Sequence, residues 1–407
     1  MKVCVIGLGY IGLPTAAMFA NAGHEVLGVD KKPQIVEALN RGEIIIEENG
    51  LAEFIKAVVE KGHLRAALDP ETSDAYIISV PTPITEDKKA DMRFVESATR
   101  SVVPLLKKGD LVILESTSPV GTVDSLMLPI LEESGLKAGT DFGLGHSPER
   151  VIPGKILYEL VHNSRIAGGI DKESAHRIAE LYKSFVEGEI YETDARTAEM
   201  CKLSENTFRD VNIAFANELA KICEDQGINV WELIEICNKH PRVNIHQPGP
   251  GVGGHCIPVD PWFLVGDYPG LTKVIGESLK VNASMPEYVL RRIHAIMKEK
   301  GVTDVSRVGL YGMTFKENVD DYRDSPTLQL LQCQREHLGQ PLKVYDPFIE
   351  KDLAENQYHD LDAFLRSVDL VVVMVRHDQI RREQGRLAGK IVLDCCNVIR
   401  LPGVYRL

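Results

Sequence analysis

The sequence predicts an α/β protein: two Rossmann-like, doubly wound parallel-sheet domains joined by a central all-helical segment with a long spine helix. Three observations predict this. An apolar strand, Val3 to Ile6, runs straight into Gly7-Leu8-Gly9-Tyr10-Ile11-Gly12. A second series of strand-like runs at α/β spacing begins after Gly301. Between them, residues 197 to 226 keep helical periodicity without an intervening strand. The expected divisions are 1–192 for the first α/β domain, 193–298 for the helical segment, and 299–407 for the second α/β domain.

The first unit starts with strand 3–6. The glycines that follow have separate tasks: the tight turn, close backbone approach to a pyrophosphate, and helix–sheet contact. Leu13 to Gly23 reads as a helix stopped by glycine, and Glu25 to Val29 as a strand ending at Asp30. Strand before, helix after and an acid about 20 residues on make this a dinucleotide fingerprint. Asp30 would accept from a ribose 2′-hydroxyl and repel a 2′-phosphate, so NAD is expected over NADP. Two further strands, Ala75 to Val80 and Leu111 to Glu115, end in polar turns carrying Thr82 and Thr117. Ligands of doubly wound sheets lie beyond the carboxyl ends of the strands, which is where both threonines fall. Ser147 to Val151 is another such turn.

The spine helix carries Leu203, Phe208, Val211, Phe215, Leu219 and Ile222 at near-helical spacing. Lys202, Asn206 and Arg209 share another face. A solvated surface is the ordinary fate of such a trio, and a dimer seam the ordinary use of so long a helix. A shorter helix, Ile228 to Lys239, leads through His240-Pro241-Arg242 to Gly249-Pro250-Gly251-Val252-Gly253-Gly254-His255-Cys256-Ile257-Pro258-Val259-Asp260-Pro261. So many glycines and prolines exclude regular structure there. Residues 277–300 read as helix interrupted at Pro286. Strands are expected at 308–312, 342–346, 369–375 and 391–394, and a helix start at Ser325-Pro326.

Composition limits the function. At 407 residues the chain exceeds one ordinary core, and 44% apolar with 26% charged residues is the balance of a soluble globular protein. It lacks an apolar run of the ~20 residues needed to cross a bilayer, and Met1 to Gly7 has no signal-peptide layout, so a cytoplasmic location is expected. The net charge of -13 argues against nucleic-acid and anionic-membrane partners. The eight cysteines lack C-x-x-C spacing, so neither a metal nor a redox pair is expected.

A nicotinamide domain combined with a cysteine loop points to two successive oxidations. An alcohol loses one hydride to become an aldehyde, but a second hydride needs a tetrahedral carbon bearing an oxyanion. Thiolate attack makes that adduct, its oxidation leaves a thioester, and water releases the acid. A base and oxyanion donors are also required. Lys202, Asn206 and Asp260 are of suitable types.

In these features the chain resembles the UDP-glucose/GDP-mannose dehydrogenase family over nearly its whole length. The resemblance rests on Gly7 to Gly12, Pro81-Thr82-Pro83, Ser116-Thr117, Pro148-Glu149-Arg150, Lys202 to Asn206, Gly253 to Cys256 with Asp260, and Phe315-Lys316 to Arg323, in that order. It implies Cys256 as nucleophile and Lys202 as general base or oxyanion partner. Asn206 would hold the thiohemiacetal oxygen or a water, and Asp260 would orient Lys202 or the hydrolytic water. Glu149 and Thr117 would belong to the water network. Gly7, Gly9, Tyr10, Ile11, Gly12, Asp30, Thr82, Thr117 and Arg323 would bind NAD. Arg150, Val151, Lys202, Asn206, Arg209, His240, Arg242, Gly253 and Lys316 would hold a UDP-sugar, in a homodimer formed through the central helix.

Members acting on UDP-glucose have a serine in place of His255 and a lysine in place of Val259. These positions, with Thr197 to Lys202, Asn206 to Glu218 and His240 to Ile245, imply UDP-N-acetyl-D-mannosamine as the sugar, oxidised at C6. UDP-N-acetylglucosamine and UDP-glucose are the alternatives. A two-electron hydroxyacid dehydrogenase or a non-catalytic NAD sensor would explain the N-terminal half, but not Cys256 or the second α/β unit. The family often carries a basic residue near Cys396; here either Arg400 takes its place or affinity at the uridine site is lower.

Overall fold

A computed structural model describes residues 1–46, 48–152, 154–336 and 339–407. The chain forms two compact units, residues 1–205 with 262–267, and residues 206–261 with 268–407.

The first unit is built on eight strands: β1 (Lys2–Ile6), β2 (Glu25–Val29), β3 (Leu64–Ala67), β4 (Ala75–Ile78), β5 (Leu111–Leu114), β6 (Gly143–His146), β7 (Arg165–Gly169) and β8 (Ile190–Asp194). Their order is β3-β2-β1-β4-β5-β6-β7-β8. The first six are parallel, with Val3 opposite Val26 and Ala75. β7 runs antiparallel to β6, and β8 parallel to β7. Strands β4 and β5 are buried at every residue, because helices cover both faces. Alternate side chains feed separate cores. Val3, Val5, Ile77 and Ile113 join one, while Cys4, Ile6, Tyr76, Ile78, Val112 and Leu114 join the other. The strand order reverses between β1 and β4, which is where dinucleotides bind in such sheets.

The second unit repeats that order with β9 (Val308–Tyr311), β10 (Lys343–Tyr345), β11 (Gln357–Tyr358), β12 (Leu370–Val373), β13 (Ile391–Asp394) and β14 (Tyr405–Arg406). All neighbours in β11-β10-β9-β12-β13-β14 are parallel. Helices Met285–Lys300 and Pro326–Glu336 contribute to the core on one face. Leu361–Ser367 contributes to the core on the other. The helical stretch 277–300 is interrupted beside Pro286, one helix ending at Ala283 and the next starting at Met285. Pro286 lies in the first turn of Met285–Lys300, where its missing N–H costs nothing, and Gly301 at φ 68° closes that helix.

The spine helix spans Ala195–Gln226. Asp194 caps it, accepting from the Thr197 N–H at 2.9 Å. Its periodicity is as expected, and Leu203 is buried and Arg209 exposed, but several positions of the two faces are exchanged. Phe208, Phe215 and Ile222 are 59%, 49% and 58% exposed, whereas Lys202 and Asn206 are buried. The buried stripe consists mainly of small residues: Ala198, Ala214, Ala216, Ala220 and Cys223. Small side chains let a helix lie close against its neighbours, and Phe208, Phe215 and Ile222 are left outward.

Candidate active site

The fingerprint turn follows β1. Gly7 has φ 100°, a left-handed conformation that glycine adopts without strain. A Cβ on Gly12 would run into the Gly7 carbonyl, so Gly12 is needed for helix–turn contact. A Cβ on Gly9 would meet no protein atom. Packing therefore does not require glycine at position 9, whereas close approach of a pyrophosphate does. Ile11 precedes helix Gly12–Asn21, whose N-terminal N–H groups favour an anion. Asp30 accepts from the N–H groups of Leu8 at 3.1 Å and Lys32 at 2.9 Å, which fixes its carboxylate at the end of β2. The Tyr10 hydroxyl donates to Glu48 at 3.0 Å, and Glu48 also accepts from the Gly154 and Ile156 N–H groups. Thr82 and Thr117 are half-buried in the turns after β4 and β5. Ser116 ties these turns together, its hydroxyl accepting from the Val80 N–H at 2.8 Å. This donor set fits NAD.

Glu149 and Lys202 lie over a buried charge network that centres on Arg165, a residue the sequence did not mark. Arg165 pairs with Glu115 at 2.5 Å and Glu149 at 2.6 Å, and donates to the Ser147 hydroxyl at 2.9 Å. Its guanidinium stacks on the Tyr182 ring at 3.7 Å. Glu115 also accepts from Tyr182 and from Thr15, on the first helix. Burial raises the Glu115 carboxyl above its ordinary range, and Arg165 opposes that. Burial also works against the Arg165 charge, but the surrounding acidic groups more than offset it. Two carboxylates share one cation, so Arg165 stays charged, while burial makes Glu115 hold a proton more readily than an ordinary carboxyl does. The Lys202 ammonium donates to the Glu149 carbonyl at 2.7 Å. Arg150 pairs with Glu205 at 2.7 Å, and Val151 packs near Met18 and Ile156.

Glu199, one turn before Lys202, accepts from the N–H groups of Gly121 at 2.5 Å and Val123 at 2.9 Å, holding the turn that contains Thr117. Burial raises its pKa from 4.5 to about 7. Between those values the native state binds a proton that the unfolded state has released, so stability falls as pH rises through this window. Glu199→Gln should remove about 2 to 3 kcal/mol of that fall. Urea denaturation at pH 5 and pH 7.5 checks this; equal pH slopes in the two proteins would contradict it.

In the second unit the spine helix holds the cysteine loop. The Asn206 amide donates to Asp260 at 2.6 Å. Asn212 accepts from the His246 N–H at 2.8 Å, and Asn217 from the Gly249 N–H at 2.9 Å. Asn217 in turn donates to Asn282 at 2.9 Å, which donates to Asp210 at 2.7 Å. Cys256 is exposed, and its carbonyl accepts from the Asp260 N–H at 2.8 Å. The glycines before it have a reason absent from the sequence reading. A Cβ on Gly253 would come within 2.6 Å of the Asp324 carbonyl and 2.7 Å of Phe315, and one on Gly254 within 2.9 Å of the Phe315 ring. They let the loop lie against the turn that follows β9.

That turn carries Lys316, and Arg323 lies beyond it, paired with Asp321. Trp231, Pro250, Phe315, Lys316, Arg376 and Cys396 line a cleft of about 230 Å³. Two cations, Lys316 and Arg376, line that cleft with Cys396, and Arg376 pairs with Glu317 at 3.2 Å. Arg400 instead bonds Asn397 at 3.1 Å and is exposed. Arg209, His240 and Arg242 are exposed on the same unit.

The chain matches models of the UDP-glucose/GDP-mannose dehydrogenase family in three stretches: the NAD binding domain at residues 1–186, the central domain at 196–284 and the UDP binding domain at 309–401. It belongs to that family, and is an NAD-dependent oxidoreductase. It is 47% identical to the UDP-N-acetyl-D-mannosamine dehydrogenase of Escherichia coli K12, over 98% of this chain and 99% of that one. It is 46% identical to the NDP-N-acetyl-D-galactosaminuronic acid dehydrogenase of Ralstonia nicotianae, over 96% and 95%. The structure of the UDP-N-acetyl-mannosamine dehydrogenase from Staphylococcus aureus superposes with a TM-score of 0.90 at 43% identity, covering 100% and 98% of the two chains. Among the described residues, no helix is long and apolar enough to cross a membrane.

Proposed function

We propose that the protein oxidises the C6 hydroxymethyl group of UDP-N-acetyl-D-mannosamine to the carboxylate through adducts on Cys256. The observation that carries this reading is an exposed cysteine on a loop anchored to the spine helix through Asn206–Asp260 and Asn217–Gly249. A two-electron dehydrogenase has no use for such a thiol.

Bound NAD would supply the hydride acceptor, held by Gly7, Gly9, Gly12, Tyr10, Ile11, Asp30, Thr82, Thr117 and Arg323. The chain's own residues do the rest. Lys202 takes the hydroxyl proton as the first hydride leaves C6 to give the aldehyde, or stabilises the oxyanion. The Cys256 thiolate adds to the aldehyde carbon, and Asn206 holds the resulting oxyanion. Loss of the second hydride converts the thiohemiacetal to a thioester. Water, oriented by Asp260, Glu149 and Thr117, displaces the thiolate and releases the acid. One sugar, two NAD⁺ and one water thus yield one uronate, two NADH and three protons. Arg150, Val151, Arg209, His240, Arg242, Gly253 and Lys316 hold the UDP-sugar. In this reading segments 1–192, 193–298 and 299–407 bind NAD, carry the chemistry and the dimer contact, and bind UDP.

The exposed Phe208, Phe215 and Ile222 support a homodimer through the spine helix. A cytoplasmic location, with neither nucleic acid nor membrane as partner, accords with the charge and with the reduced state that the thiol needs. The Ralstonia relative favours a second reading, the same chemistry on an N-acetylgalactosamine sugar. Initial rates with UDP-linked N-acetylmannosamine, N-acetylgalactosamine, N-acetylglucosamine and glucose decide between them. The largest kcat/KM is expected for the first; a larger value for any other overturns the substrate assignment.

A further inference from the structure

We propose that Asp346 and His377 are positioning residues, a buried clamp at the carboxyl ends of the strands flanking β9 that sets segment 313–318 and, through it, both Lys316 and the loop of Cys256. The inference rests on the roles given to those two residues above.

β10 and β12 lie on either side of β9. Asp346 directly follows β10 and His377 lies just beyond β12, and both side chains are wholly buried. One Asp346 oxygen accepts from the Met313 N–H at 2.5 Å and the Thr314 N–H at 3.1 Å, and lies 3.1 Å from His377 Nε2. The other accepts from the Phe348 N–H at 2.8 Å. His377 Nδ1 accepts from the Asn318 N–H at 2.9 Å. A backbone amide can only donate, so Nδ1 is unprotonated and Nε2 carries the proton toward Asp346. The clamp therefore requires one tautomer. Burial alone would raise the Asp346 carboxyl, but the bonds from His377, Met313 and Phe348 outweigh it and lower it, so the group remains an acceptor.

The segment is thus held at both ends, by Asp346 at 313–314 and by His377 at 318. A further tie runs from the Asp378 N–H to the Asn318 side chain at 3.0 Å, with Asn318 in a left-handed conformation at φ 58°. Phe315, Lys316 and Glu317 lie between these anchors. Phe315 backs Gly253 and Gly254, and the Gly254 N–H donates to the Arg323 carbonyl at 2.9 Å. A shift of the segment would move a wall of the nucleotide cleft and the support of the Cys256 loop together. Buried partners that orient metal ligands typically contribute ten- to a hundredfold, and an effect of that size is expected of this clamp.

The test uses full-length His377→Leu, His377→Gln and Asp346→Asn. It measures KM and kcat for UDP-N-acetyl-D-mannosamine, NAD affinity, and the rate of iodoacetamide alkylation at Cys256 read by peptide mapping. For His377→Leu, KM is expected to rise about ten- to a hundredfold, more than kcat falls, with a changed alkylation rate and unchanged NAD affinity. His377→Gln, which keeps a donor toward Asp346, should recover part of the KM. Wild-type KM and alkylation in folded His377→Leu would overturn the clamp. If that variant does not fold, a raised KM in the Gln or Asn variant with NAD affinity kept supports it, and wild-type KM in both overturns it. Should the wild type turn over no UDP-sugar, the functional reading fails separately. UDP is then the calorimetric probe, and equal UDP affinity in wild type and His377→Leu, or in the Gln and Asn variants if Leu does not fold, overturns the clamp.

Discussion

Cys256→Ser is expected to lower uronate formation by roughly 10³-fold or more, because a serine hydroxyl is a far weaker nucleophile than a thiolate near neutral pH. The fold should survive. The loop is anchored through backbone groups and through Asn206, Asn212 and Asn217, none of which involves the sulfur. The side chain is exposed, so the substitution leaves no core cavity. NAD affinity and the melting temperature should match those of the wild type, which separates lost chemistry from lost structure. Product analysis by mass spectrometry is the check. Uronate formed at the wild-type rate would remove Cys256 from the mechanism.

Arg165→Met is expected to cost about 3 to 5 kcal/mol of stability at pH 7. It would strand Glu115 and Glu149, whose side chains are 0% and 8% exposed, without their shared cation. Methionine fills much of the space but can neither pair with the two acids nor stack a charge on Tyr182. The stranded carboxylates would respond by taking up protons. The destabilisation should therefore be smaller at pH 5 than at pH 7. Urea denaturation of both proteins at both values measures this; a loss below about 1 kcal/mol at pH 7 would show that the network carries little.

Much of the fold was legible where both faces of a strand are buried. Ala75 to Ile78 and Leu111 to Leu114 read as apolar runs because nothing polar can face a helix-covered sheet. β7 and β8 escaped this reading. β7 opens on an arginine, and β8 is an edge strand whose Tyr191 is 52% exposed, so neither presents an apolar run or alternation. Periodicity located the spine helix but could not say which stripe faces inward, since burial depends on neighbours rather than on spacing.

The same division holds in the site. Gly7 to Gly12, Asp30, Cys256 and Asp260 stood out in the sequence as candidates because each falls in a local pattern. Arg165, Asp346 and His377 were not, because each acts on a partner distant in sequence and has no spacing of its own. The glycines before Cys256 belong to both classes. Their composition marked the loop, while their close fit to Phe315 and Asp324 appears only once the chain is folded.

We propose that the alcohol leaves the enzyme as an acid, after two hydride transfers with one cysteine carrying the intermediate. Counting NADH formed per UDP-N-acetyl-D-mannosamine consumed, with excess NAD, tests it most directly. Two NADH per sugar, with the uronate as sole product, is the expected result. One NADH per sugar, with the aldehyde accumulating, would contradict it.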